Sequence, residues 1–220
     1  FFLAIFLFVN EYFLNQIATD RFNSEMQMCV ELSSECNLDE LKNADSSNLN
    51  ANQLKLIELN TIIDIGLRVP DHGRCGPWRI QIIKKKGQSR LGELYKKLFA
   101  EEDENPTAER IDYWRLRPQS APILLAITCY PNEEKLAKIP LWEQTLSGGA
   151  LCQNILNASH AVGYSAQWLS EWPAYHKEVK KLLGHAENIE LYGFIFIGTA
   201  TEPPKERKRV GAEEIVSNWS

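Results

Sequence analysis

The sequence predicts an α+β domain in which helices pack against a sheet. Two continuous apolar runs, 121–130 and 190–200, have the length and β-branched content of strands buried on both faces. Five other segments repeat apolar residues every three or four positions, as one-faced helices do. Their order lacks the regular strand–helix–strand repeat of a doubly wound fold, which leaves mixed α+β layers.

In chain order, 51–68 ("ANQLKLIELNTIIDIGLR") is predicted as a helix with Leu54, Ile57, Leu59, Ile62, Ile63 and Ile65 on one face, stopped by Pro70. The loop "RVPDHGRCGP" leads into an alternating strand over 78–85, closed by a Lys-Gly turn. Residues 89–102 form a surface helix, and 107–117 a second one, opened by Thr107 after Pro106. After the strand at 121–130, 141–163 is a long helix with small residues on one side, where another backbone can come close. "AQWLS" (166–170) is a short strand. Residues 173–184 are a helix with Pro at its start and Gly at its end, and 190–200 is the last strand.

A chain of 220 residues has the size of one domain or of one domain with an appendage, and 44% hydrophobic residues suffice for a core. Residues 1–50 hold eight acids against Arg21 and Lys42, a net of −6 out of −5 for the whole chain, so the rest carries about +1. No dense basic face marks a nucleic-acid partner. The opening "FFLAIFLFV" is far short of the roughly 20 apolar residues of a membrane span and lacks the basic start of a signal peptide. Residues 1–36 are read as an N-terminal extension of unassigned role, and 37–220 as the folded domain. Five cysteines without a CxxC pair suit reduced thiols and a cytoplasmic setting better than a disulfide framework or a zinc site.

The chain has no P-loop, no GxGxxG, no HExxH and no GxSxG, and its four histidines do not sit at metal-ligand spacings. Three polar clusters remain. Arg68, Asp71 and His72 lie on a loop pinned by two prolines. Trp168, Leu169 and Ser170 end a short strand. Gly198 and Thr199 end the last strand and run into a basic stretch with Arg207 and Arg209. Arginines and backbone amides at strand ends suit a phosphate, and apolar edges with few donors suit a planar ligand. Each cluster also has a plainer reading: a turn cap around His72, a core indole at Trp168, a solvated tail at 205–209.

Taken together, "RVPDHGRCGPWRI", "IPLWEQTLSGGA", "AQWLSEWPAY" and "FIFIGTATEPPKER" resemble, in this order, the nitroreductase family, and within it the small NAD(P)H nitroreductases of the YdjA type. The likeness covers roughly residues 38 to 210. It implies an α+β homodimer with a central, mostly antiparallel sheet flanked by helices, and two FMN sites shared across the subunit interface. It also implies ping-pong hydride transfer from NADH or NADPH to nitroaromatics, quinones or related small-molecule acceptors. By the same resemblance Arg68, His72, Trp168, Leu169, Ser170, Gly198, Thr199, Arg207 and Arg209 are cofactor-binding residues, and 158–163 lies at the nicotinamide nucleotide. Such a protein needs no catalytic acid or nucleophile of its own, because the flavin carries the redox chemistry.

The chain departs from the family where the first helix normally ends in Arg-Arg-Ser, which grips the flavin phosphate. Counted back without gaps from Arg68, this chain has Asn43, Ala44 and Asp45 there. Two lost charge-assisted bonds at about 1.5–3 kcal/mol each weaken binding by two or more decades. Lys42, Ser46 or Arg21 are the nearest substitutes. The departure leaves an alternative open: a protein of this fold whose flavin binding is weakened or lost, acting as a binding or regulatory module.

Overall fold

Both apolar runs become the middle of one sheet. The computed structural model describes residues 56–201 and 207–219. Strands β1 (Trp78–Ile83), β2 (Ile123–Cys129), β3 (Ser165–Leu169) and β4 (Leu191–Gly198) pair in the order β1-β2-β4-β3, antiparallel throughout. The predicted extension 1–36 and the Asn43–Asp45 stretch lie outside the described residues.

Period-two alternation sends neighbouring side chains of the central strands to opposite faces. From β2 and β4, Leu125, Ile127, Ile195 and Ile197 meet helices α1 (Leu56–Gly66) and α4 (Leu141–Ala161) through Leu59, Ile62, Ile65, Leu151 and Ile155. Leu124, Ala126 and Phe194 face the other layer, where α2 (Lys85–Glu102) brings Leu91, Tyr95 and Leu98. That layer also holds α3 (Ala108–Leu116), α5 (Trp172–Tyr175) and α6 (Lys177–Leu182), and a short α7 (Ala212–Ile215) follows near the C-terminus. A sheet with helices on both faces needs central strands that are apolar on both sides, and this is why they read as unbroken runs.

Two predicted helices differ in extent. The expected Lys-Gly turn at 86–87 is instead the first turn of α2. An early start lets the buried Gln88 donate to the carbonyls of Ala121 and Pro122, and Gly87 leaves room for Ile83. The expected single helix over 173–184 is α5 and α6, broken at His176. There the backbone is extended, and the His176 ring accepts the Glu178 amide as an N-terminal cap.

Strand β4 carries one extra residue. Ile127 pairs with Gly193, but Thr128 pairs with Leu191, so Tyr192 bulges out of the ladder. Gly193 has φ +136°, and a Cβ there would fall 2.5 Å from the Leu169 carbonyl. Gly148 of α4 leaves space for the Tyr192 ring. The small residues of α4 thus serve the protomer's own core in part: Ser147, Gly148, Ala158 and Ser159 are all buried.

Candidate flavin-contacting site

The loop between α1 and β1 is held from every side. Asp71 accepts the backbone amides of Cys75 (2.9 Å) and Gly76 (2.8 Å) on its two carboxylate oxygens. Gly73 and Arg74 take positive φ, and a Cβ at Gly73 would collide with Ile139. Lys135 donates to the carbonyls of Gly73 (2.6 Å) and Arg74 (3.2 Å), and Ser147 to that of Pro70 (2.6 Å). One turn before the loop, Asn154 donates to the Ile65 carbonyl at 2.7 Å. The turn is closed by Asp71, and the His72 ring bonds Glu143 rather than the turn's own backbone, so the plainer reading of His72 as a cap does not describe it.

Sequence reasoning named Arg68 and His72 but missed the residues that fix them. Glu143, Ser147 and Asn154 come from α4 and Lys135 from the preceding turn, more than sixty positions away. Nothing local marks them. The string "IPLWEQTLSGGA" contains Glu143 and Ser147, but only the fold shows what they touch.

Arg68 and His72 are exposed. Among the described residues no acceptor engages the Arg68 guanidinium, which leaves a cation available to an anionic or carbonyl-bearing ligand. His72 Nδ1 lies 2.7 Å from Glu143 Oε2.

Trp168 is a structural residue as the fold has it. Its indole N–H donates to the Tyr192 carbonyl at 2.8 Å, and its ring packs on the core beneath α1 and α4. That N–H is therefore not free for a ligand. β3 is an edge strand whose outer N–H and C=O groups meet no further strand among the described residues, but Leu169 turns its carbonyl inward, toward Gly193 of β4, and Ser170 follows just past the strand's end. Gly198 and Thr199 line an open recess of about 240 Å³ with Ser165, Gln167 and Phe196. Arg207 and Arg209 are exposed, and Arg209 folds back onto the carbonyls of Arg207 and Lys208.

These groups are spread over both ends of the sheet. Trp78 pairs with Cys129 and Leu169 with Phe194, so the 68–77 loop and Ser170 share one end of the sheet. The loop leads into β1, however, three strand spacings or about 14 Å from β3. Gly198 pairs with Ser165 at the other end, four residues or about 13 Å along the strand from Phe194.

For FMN, the donor set fits in kind: a cation at Arg68 that meets no acceptor among the described residues, an imidazole at His72, backbone at Ser170, and a recess at Gly198–Thr199. A bound FMN would supply the electron relay, and these residues would supply orientation and charge. Among the described residues no cluster could hold a metal ion, and no helix is long and apolar enough to cross a membrane.

The chain resembles known proteins in sequence and in fold. The profile of the nitroreductase family matches residues 46–199. The chain is 28% identical over 144 residues to the Escherichia coli K12 protein named "Putative NAD(P)H nitroreductase YdjA", covering 64% of this chain and 75% of that one. Its fold is similar to that of a nitroreductase-like family protein from Bacillus cereus, with a TM-score of 0.65 and 18% identity over 83% of this chain and 95% of the other. It is also similar to an NADPH:FMN oxidoreductase from Vibrio harveyi solved with NAD+, with a TM-score of 0.60 and 16% identity over 76% of this chain and 70% of that one. The profile spans the rigid loop, all four strands and the α1–α4 layer that holds the loop, and on that ground the chain belongs to the nitroreductase family of flavin-dependent oxidoreductases.

Proposed function

We propose that the protein is an FMN-dependent NAD(P)H oxidoreductase that reduces nitroaromatics, quinones or related acceptors in a ping-pong cycle. The observation that carries this reading is the 68–77 loop, fixed by Asp71, Lys135 and Ser147 so that Arg68 and His72 stand exposed on a rigid frame. A flat cofactor needs its contacts preorganised, and a floppy loop would lose that precision. Arg68 supplies positive charge, His72 a ring nitrogen, and the β3 edge backbone donors and acceptors. Gly198, Thr199, Arg207 and Arg209 supply the phosphate-binding character, and 158–163 lies on the nicotinamide side.

The working unit in this proposal is a homodimer. Leu141, Trp142 and Leu146 project from the first turns of α4, with Trp142 at 61% and Leu146 at 63% exposure. Apolar side chains of that size gain about 1.5–3 kcal/mol each on burial. Flavin sites shared across that contact, as the family resemblance implies, complete the proposal. The free thiols of Cys75, Cys129 and Cys152 suit a reducing compartment such as the cytoplasm.

Purified protein with excess FMN is expected to oxidise NADH or NADPH when menadione or a nitrofuran is supplied. No oxidation with either nucleotide and any acceptor of these classes would refute the enzymatic reading. Asn43, Ala44 and Asp45 favour the second reading, a fold retained with weakened flavin binding. Restoring Arg-Arg-Ser at 43–45 separates the two, because already tight FMN binding that does not improve removes the ground for it.

A further inference from the structure

We propose that Glu143 is the positioning residue for His72: it fixes the ring in its Nδ1–H tautomer and leaves Nε2 as the nitrogen that a bound ligand meets. The proposal rests on reading the 68–77 loop as a ligand-contacting loop. It adds a residue outside that loop and a defined protonation pattern within it.

His72 opens a short turn whose backbone is fixed, but whose ring is 66% exposed. Among the described residues, the ring's polar contact is to Glu143, with Nδ1 2.7 Å from Oε2. An ionised carboxylate only accepts, so the proton of this bond belongs to Nδ1, and the distance is in the charge-assisted range. The carboxylate is itself well placed. Glu143 is 30% exposed, and its backbone amide donates to the Pro140 carbonyl. The next residue, Gln144, is 2% exposed and ties the 132–139 turn to α4 through Asn132 and Ile139. One turn further along, Ser147 donates to the Pro70 carbonyl. The loop is therefore held before His72 by Ser147 at Pro70 and after it by Lys135 at Gly73 and Arg74, on a turn that Gln144 ties to the helix.

The chemical consequence follows from the tautomer. With Nδ1–H committed, neutral His72 presents a lone pair at Nε2. It accepts a hydrogen bond or a proton there, and cannot donate until it has taken one. The ligand group it selects is a polarised N–H or O–H. Both the edge of an isoalloxazine and the hydroxyl of a reduced quinone provide one.

His176 supplies a contrast in the same molecule. Its Nδ1 accepts the Glu178 amide at 3.1 Å and its Nε2 faces Glu102, which places the proton of the neutral ring on Nε2. Long-range 1H–15N correlation of the full chain labelled with 15N-histidine, at about pH 8.5 where ordinary histidines are neutral, reads both rings. His72 is assigned by its loss in His72→Gln. The expected result is Nδ1–H with a bare Nε2 for His72 and the reverse for His176. In Glu143→Ala, His72 is expected to shift toward Nε2–H while His176 stays unchanged, which also shows that the fold persists. A wild-type His72 carrying its proton on Nε2 overturns the proposal, and this arm needs no Glu143 variant. So does a His72 pattern that ignores Glu143→Ala. Titrating FMN into the same sample keeps the two readings apart: absent FMN binding with the Nδ1–H tautomer in place counts against the flavin and not against the Glu143–His72 pair.

Discussion

The indole N–H of Trp168 donates to the carbonyl of Tyr192 at 2.8 Å, and so satisfies the residue that bulges out of β4. A bulged carbonyl has no ladder partner, and leaving it unpaired in a half-buried site costs about 1–3 kcal/mol. Trp168→Phe keeps most of the ring and removes the donor. Thermal unfolding of the variant is expected to show a loss of that size, and an unchanged Tm would mean that the bond contributes nothing.

Asp71 closes its loop by accepting two amides, so Asp71→Ala releases Cys75 and Gly76 together. The site is only partly buried, and about 1–2 kcal/mol of stability is expected to go. FMN affinity is expected to fall by about tenfold for each 1.4 kcal/mol spent in re-ordering the loop. Titration of both proteins with FMN compares the two losses. Equal affinity would show that the loop does not contact the flavin.

The exposed Trp142 and Leu146 define the expected contact between subunits. Leu146→Asp places a charge in the middle of that contact, where an unpaired carboxylate is strongly disfavoured. Sedimentation is expected to find a dimer for the wild type and a monomer for Leu146→Asp. A wild-type monomer at micromolar concentration would remove the shared-site proposal.

The pH response has a definite sign. Burial pushes the Cys152 thiol from the ordinary 9.0 up to about 12, and raises Cys129 and the phenols of Tyr95 and Tyr192. Above pH 9.0 the unfolded chain gives up the Cys152 proton and the native state keeps it, so stability falls as pH rises through the alkaline range. Cys152→Ala is expected to flatten part of that fall in Tm measured from pH 8 to pH 11, after allowance for the small cavity. Native thiol labelling is expected to mark Cys75, which is partly exposed, before Cys129 or Cys152. Early modification of Cys152 would contradict the packing described.

Much of the fold was legible because its signals are local. The runs at 121–130 and 190–200 needed no partner to be read as buried strands, and Thr107 marked the start of α3, where its side chain caps Arg110. The break at His176 was not legible. It depends on a side chain capping its own backbone, while the surrounding residues keep a helical pattern. The site divides in the same way. Arg68 and His72 stood out on a loop of prolines and glycines, but Glu143 and Lys135 act across more than sixty residues of chain. Trp168 was legible as a residue of interest, though not as the partner of a bulge, since the bulge exists only in the register between β2 and β4.

The most direct test of the account is the absorption spectrum of the freshly purified protein, followed by titration with FMN. Flavin bands, or saturable uptake of FMN at a single site in each chain, is the predicted result. It would show that the chain holds a cofactor despite Asn43-Ala44-Asp45. A colourless protein that ignores added FMN would contradict the central claim, and would leave a nitroreductase fold without its cofactor.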